Sequence, residues 1–341
     1  MTDIDAGQFS TLLHAYGRAE DTAGHLAALI DGDAAGRRAA LEHLWSAVIH
    51  QGTPWTATPP AALAVAEILG DSRLAGAADA GLRADLLGFL AAVAKGGQAS
   101  ADLDQLAPQA GFDVDAAVAA ALDSGAEDDI YADEVLANAV YARAVRGCRE
   151  IVPALLAAAT RALSDTEPTV RAAAAHTVGV CCSVRAATTE KATATRRLDA
   201  LAAPAGPDER AALVLAMGEA GGAPRAYLGD PHPGVRACAA LAPALADDPA
   251  ATTEILAALA APTPGSPTAC RRCPAGSGSR SSPPRSPGST AQSACFRRRW
   301  QSPRSPAGPP SATTGGHCCT PSSPAAPATR CPWLSAATSA R

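Results

Sequence analysis

Aromatic residues are scarce. Phe, Trp and Tyr make up 4% of the 341 residues, so no thick core of large rings can form, and Leu, Val and Ala must fill the interior. Lysine is nearly missing. Lys95 and Lys191 are the two examples, which leaves lysine-based catalysis few candidates. No stretch approaches the ~18 uninterrupted apolar residues of a membrane span. The N-terminus, MTDIDAGQFS, is acidic and lacks the apolar run of a secretory signal. The expectation is a cytoplasmic chain without a membrane partner. Phosphate loops, GxGxxG, GxSxG and HExxH are missing as well.

Acidic residues disappear after Glu254. From Thr263 to Arg341 there are ten Arg and no Lys, Asp or Glu, so the preceding 262 residues carry 18 basic and 33 acidic groups, a net of -15. The chain is an acidic body with a basic tail. The tail also holds half of the 28 prolines. Its Pro/Ser/Gly-rich text cannot bury enough apolar surface to offset ordering entropy, so disorder is expected over 263–341. The same text fits an out-of-frame reading. In GC-rich codons Leu-Val-Ala-Ala, read one nucleotide late, becomes Ser-Ser-Pro-Pro, as at 281–284. A basic disordered arm is the alternative.

What the body has in plenty is alanine at helical spacing. One phrase occurs twice: SDTEPTVRAAAA at 164–175 and GDPHPGVRACAA at 229–240. Asp165 and Asp230 suit turns, Pro168 and Pro233 suit a first helical position, and Val170 and Val235 open apolar stripes. An apolar helix over 147–163 precedes the first copy. Weaker copies read at 25–48, 61–94 and 196–222. Arg236 follows Arg210 too closely for a full preceding helix, so a vestigial one is expected near 224–228.

The Asp-x4-Val-Arg-x2-Ala-Ala phrase resembles HEAT repeats of the bacterial, armadillo-like type. The resemblance covers residues 21–262, with 1–20 as an N-terminal segment. It implies an all-α fold, an α-solenoid of stacked antiparallel helix pairs, each burying its apolar face on the next. It also implies that Asp165, Arg171, Asp230 and Arg236 bridge neighbouring repeats as a ladder.

Candidate sites are few. The segment 44–64 is the most unusual: Trp45, His50, Gln51, Thr53 and Trp55 crowd one inter-helix turn and include both Trp residues of the body. Large aromatics beside polar groups are typical binding anchors, and such His-Gln-Gly-Thr turns resemble those of bacterial HEAT-like proteins. The bland reading packs Trp45 on a helix and caps the repeat stack with Trp55. Cys270 and Cys273, with His317, Cys318 and Cys319, have zinc-knuckle spacing but no strands to aim the sulfurs. Asp31, Asp33 and Glu42 echo a calcium loop, yet Ala35, Arg37 and Arg38 occupy its ligand region. No metal, cofactor or catalytic residue is expected. The expected function is a non-enzymatic scaffold that binds another protein, chosen by an acidic surface. An enzyme resembling bilin lyases or alkyl-DNA glycosylases is the alternative, although a net charge of -15 opposes nucleic-acid binding by the body.

Overall fold

A computed structural model describes residues 6–98, 113–125, 130 and 132–260. Contacts divide the chain into residues 1–292 and 293–341, and every described residue belongs to the first unit. The tail over 263–341, its cysteines and the expectation of disorder lie outside the described residues.

The described chain is all-α, with thirteen α-helices. They are α1 (Ala6–Phe9), α2 (Thr22–Asp31), α3 (Ala34–His43), α4 (Thr58–Ile68), α5 (Ala80–Gly96), α6 (Val114–Asp123), α7 (Glu134–Glu150), α8 (Val152–Ala162), α9 (Pro168–Arg185), α10 (Thr188–Ala202), α11 (Pro207–Glu219), α12 (Pro233–Ala240) and α13 (Pro249–Ala260). No described helix is long and apolar enough to cross a membrane. Two antiparallel strand pairs, of two residues per strand, interrupt the helices. These are β1 (Leu13–His14) with β2 (Gly17–Arg18), and β3 (Ile49–His50) with β4 (Thr53–Pro54).

Local chemistry sets the helix starts. Proline opens α9, α11 and α12 at a position whose N–H would be unpaired anyway. Asp33, Asp113 and Asp133 cap α3, α6 and α7 by accepting backbone N–H bonds. For Asp33 this is helix capping, with the bond coming from Gly36 N at 2.8 Å. The helix expected over 147–163 is two helices, because α7 ends at Glu150 and α8 restarts with Pro153 in its first turn. The vestigial helix expected near 224–228 is a 3-10 turn over Arg225–Gly229.

Helices α8 and α9 pair, as do α10 and α11; α9 also packs against α5 and α11, α11 against α12, and α12 against α13. Thus α5 meets α9 directly, although α6, α7 and α8 lie between them in sequence. Helices α6 and α7 make their own cluster from Val118, Leu122, Ile130, Leu136 and Val140, with Leu13. The main core reaches back before residue 21: Phe9 and Ala19 are both buried in it.

Five arginines link successive pairs. Arg37 donates to Asp79 (2.6 Å), Arg83 to Asp165 (2.9 and 3.0 Å), Arg171 to Glu209 (2.5 and 2.8 Å), Arg210 to Asp230 (3.0 Å) and Arg236 to Glu254 (2.8 Å). Each guanidinium also donates to carbonyls of its own turn: Ile30, then Leu74 and Gly76, Asp165 and Thr166, Ala202 and Ala205, Asp230 and Pro231. Asp165 and Asp230 therefore receive the arginine of the preceding pair, while Arg171 and Arg236 reach forward to glutamates. Burial works to raise the Asp165 pKa, but the Arg83 and Glu167 N–H bonds outweigh it and hold the carboxyl below its usual value.

Burial ranks these bridges. The Arg83 side chain is 5% exposed and that of Arg73, which pairs with Asp71 and Asp31, is 46% exposed. Arg83→Ala strands a shielded carboxylate and two carbonyls, and should cost about 3–5 kcal/mol. Arg73→Ala should cost far less, because water screens its exposed ion pairs. Chemical denaturation of both variants checks the order, and equal midpoints would refute it.

Candidate functional site

The two hairpins lie against each other. Ala15 N–H donates to Ala47 O at 3.0 Å, and Ala57 N–H to Leu13 O at 3.0 Å. Leu13 N–H also meets the Thr56 hydroxyl at 2.8 Å. The stretch expected as an inter-helix turn is the second hairpin. Helix α3 gives way to a π-turn over Leu44–Val48, and the chain then reverses through Gln51 and Gly52 with Ile49 opposite Pro54 and His50 opposite Thr53. Both turn residues have positive φ, 51° and 83°, the requirement of a tight two-residue hairpin. The buried Thr58 hydroxyl holds the base, donating to Val48 O and accepting Trp55 N–H.

The five expected binding residues fall on or beside this hairpin with different exposures. Trp45 is 45% exposed, its ring meeting buried Phe89 edge-on at 6.0 Å. Gln51 is exposed at the tip, while His50, Thr53 and Trp55 are half-buried. His50 is steadied through its Nδ1 and Ser46 O at 2.8 Å, and by the edge of Tyr16 at 5.8 Å. Tyr16, at the tip of the first hairpin, is 66% exposed.

Sequence reasoning missed the group beneath. Four of the seven histidines lie within residues 14–50, and that concentration was the available signal. His14 Nε2 is 3.0 Å from Asp21 Oδ1, His43 Nδ1 is 3.8 Å from Asp21 Oδ2, and His43 Nε2 is 2.9 Å from the Thr22 hydroxyl. The His25 and His43 rings stack at 4.2 Å. His14 and His43 are buried, whereas the Asp21 side chain is 54% exposed. Thr22 and His43 are joined as a nucleophile and a base would be, but the Asp21 carboxylate lies beyond hydrogen-bond distance of His43 at 3.8 Å. Thr22 is fully buried, which denies its hydroxyl a substrate. His14, Asp21 and His43 are also the one set of potential metal ligands among the described residues.

The buried cysteines carry no comparable chemistry. Burial pushes the Cys148 and Cys181 thiols up to about 12 and Cys182 to about 11, so none is a thiolate at neutral pH.

The chain matches no family model, no curated protein and no solved structure.

Burial lowers the His43 pKa from 6.5 to about 4; Asp21 opposes that shift, while His25 and His14 add to it. The unfolded chain then binds a proton between these values that the folded chain refuses. The neutral-ring contribution is complete above pH 6.5 and is lost as pH falls toward 4, a loss of about 2–3 kcal/mol. Denaturation at stepped pH in metal-free buffer should show this slope, and His43→Gln should flatten it. At the hairpin tip, Gln51→Asn should raise stability by roughly 0.5 kcal/mol, because Asn tolerates positive φ better than Gln. A lower melting temperature for that variant would contradict the turn assignment.

Proposed function

We propose that the protein is a HEAT-like α-solenoid acting as a non-enzymatic scaffold, and that its paired hairpins dock another protein. The observation that carries this reading is the pairing of exposed rings with a rigid base. Tyr16 and Trp45 are the two large exposed aromatics among the described residues. Each rests on a fixed ring, His50 or Phe89. Rings held this way lose little freedom on binding, and aromatic anchors carry most of the energy of many interfaces. The arginine–carboxylate ladder supports the solenoid part, since it joins one helix pair to the next by the same contact five times. The net charge of -15 over residues 1–262 favours a partner with a basic surface and repels a phosphate backbone.

The test is differential capture. The full chain and its Trp45→Ala and Tyr16→Ala variants serve as bait under identical conditions, followed by affinity measurement on any protein that the variants lose. Each substitution should weaken that partner by about 1–3 kcal/mol while the thermal melt stays nearly unchanged. Binding that survives both substitutions, or that disappears only when residues 263–341 are deleted, would remove the hairpins from the interface.

A further inference from the structure

His14 comes from β1, Asp21 from the turn entering α2, and His43 from the last residue of α3. Their ligand atoms all lie within 4.8 Å of one another. Zinc holds N and O ligands at about 2.0–2.2 Å in a tetrahedron, which separates the ligand atoms by about 3.3 Å. His14 Nε2 is 3.0 Å from Asp21 Oδ1 and His43 Nδ1 is 3.8 Å from Asp21 Oδ2, so each imidazole lies close to that spacing from one carboxylate oxygen, and closing the three ligands on one ion takes side-chain adjustment within the 4.8 Å group. Solvent reaches the group from the Asp21 side, leaving a position for water. The outer contact is also suitable. When His43 ligates through Nδ1, its ring proton sits on Nε2 and is donated to the Thr22 hydroxyl 2.9 Å away, a common support for a metal-bound imidazole.

We propose that His14, Asp21 and His43 form an open three-ligand site for a divalent transition-metal ion of the zinc class, and that filling it turns the tip of the first hairpin. The coupling lies in one ring. Tyr16 N–H donates to His14 Nδ1 at 3.1 Å, so the His14 proton resides on Nε2 and is donated to Asp21. Coordination through Nε2 moves that proton to Nδ1. No proton leaves the protein, but two N–H donors then face each other, and the Tyr16 amide must turn away. The Tyr16 ring, edge-on to His50, moves with it. The ion therefore acts on one of the two exposed rings.

The experiment uses the full chain, stripped with chelator and titrated with Co²⁺ and then with Zn²⁺ alone. Cobalt separates this site from the tail cysteines, because thiolate ligation adds intense near-ultraviolet charge-transfer bands that N and O ligands do not. The expected result is one ion per chain with weak visible bands, accompanied by a change in tyrosine fluorescence. Asp21→Asn and His43→Gln should each weaken that ion more than about 100-fold, and Thr22→Val about 10-fold. Unchanged far-ultraviolet circular dichroism separates ligand loss from unfolding; Asp21→Asn keeps the side-chain shape for that purpose. An ion that binds all three variants as it binds the parent overturns the proposal, as does one that brings thiolate bands, or no binding up to about 1 mM. Binding without a tyrosine signal overturns the hairpin coupling.

Discussion

The guanidinium fork is the contact on which the helix arrangement depends. It is planar and carries five N–H donors in fixed directions. Arg83 uses one edge for the Asp165 carboxylate and the remaining nitrogen for Leu74 O and Gly76 O. One side chain thereby closes its own inter-helix turn and fixes the next helix pair against it. A lysine ammonium is a point charge on a flexible stem and cannot hold two such sets in one plane. The chain's near-total preference for arginine, with two lysines in all, is consistent with that demand.

The ladder matters more here because the core is thin. Buried positions are mostly Ala, Val and Leu, and each contributes less apolar area than an aromatic ring. Small side chains let helices approach closely. Between α11 and the turn before Pro243, a Cβ added at Gly218 would lie 2.8 Å from that of Ala242. Such packing is intolerant of added volume and supplies little directionality. Charge-assisted bonds at the turns supply the direction.

The hairpins are built differently. Tyr16 lies edge-on to the buried His14 ring, and the backbone uses positive φ at Gln51 and Gly52. The polar atoms inside are matched to one another: Tyr16 N–H with His14, His14 with Asp21, Thr22 with His43. A matched network of this kind gives one geometry, and it reacts to any proton or cation that changes an acceptor into a donor. The exposed Tyr16 is thus tied through its backbone N–H to this network and through its ring to His50.

Helix content, the helix starts at proline and the two arginine phrases were legible in the sequence, because each depends on residues close together along the chain. Pro168 with Val170 and Pro233 with Val235 announce a helix with an apolar stripe wherever they occur. The 3-10 turn at 225–229 was legible for the same reason, since the short Arg210–Arg236 spacing leaves no room for more. The hairpin at 49–54 was not. Gln-Gly is a weak signal for a turn needing two positive φ values, and the pairing that decides it includes contacts with residues 13–15. The histidine group was missed because its members are 7 to 29 residues apart and meet only when β1, α2 and α3 are assembled. Likewise, the acid that each arginine takes was decided in space: Asp165 lies 82 residues from Arg83, a separation that no local pattern bridges. By itself the sequence determined which segments coil, because hydrogen bonding and apolar spacing within a helix are local. Only the tertiary structure decided which charges and imidazoles face each other, because those contacts depend on which helices lie side by side.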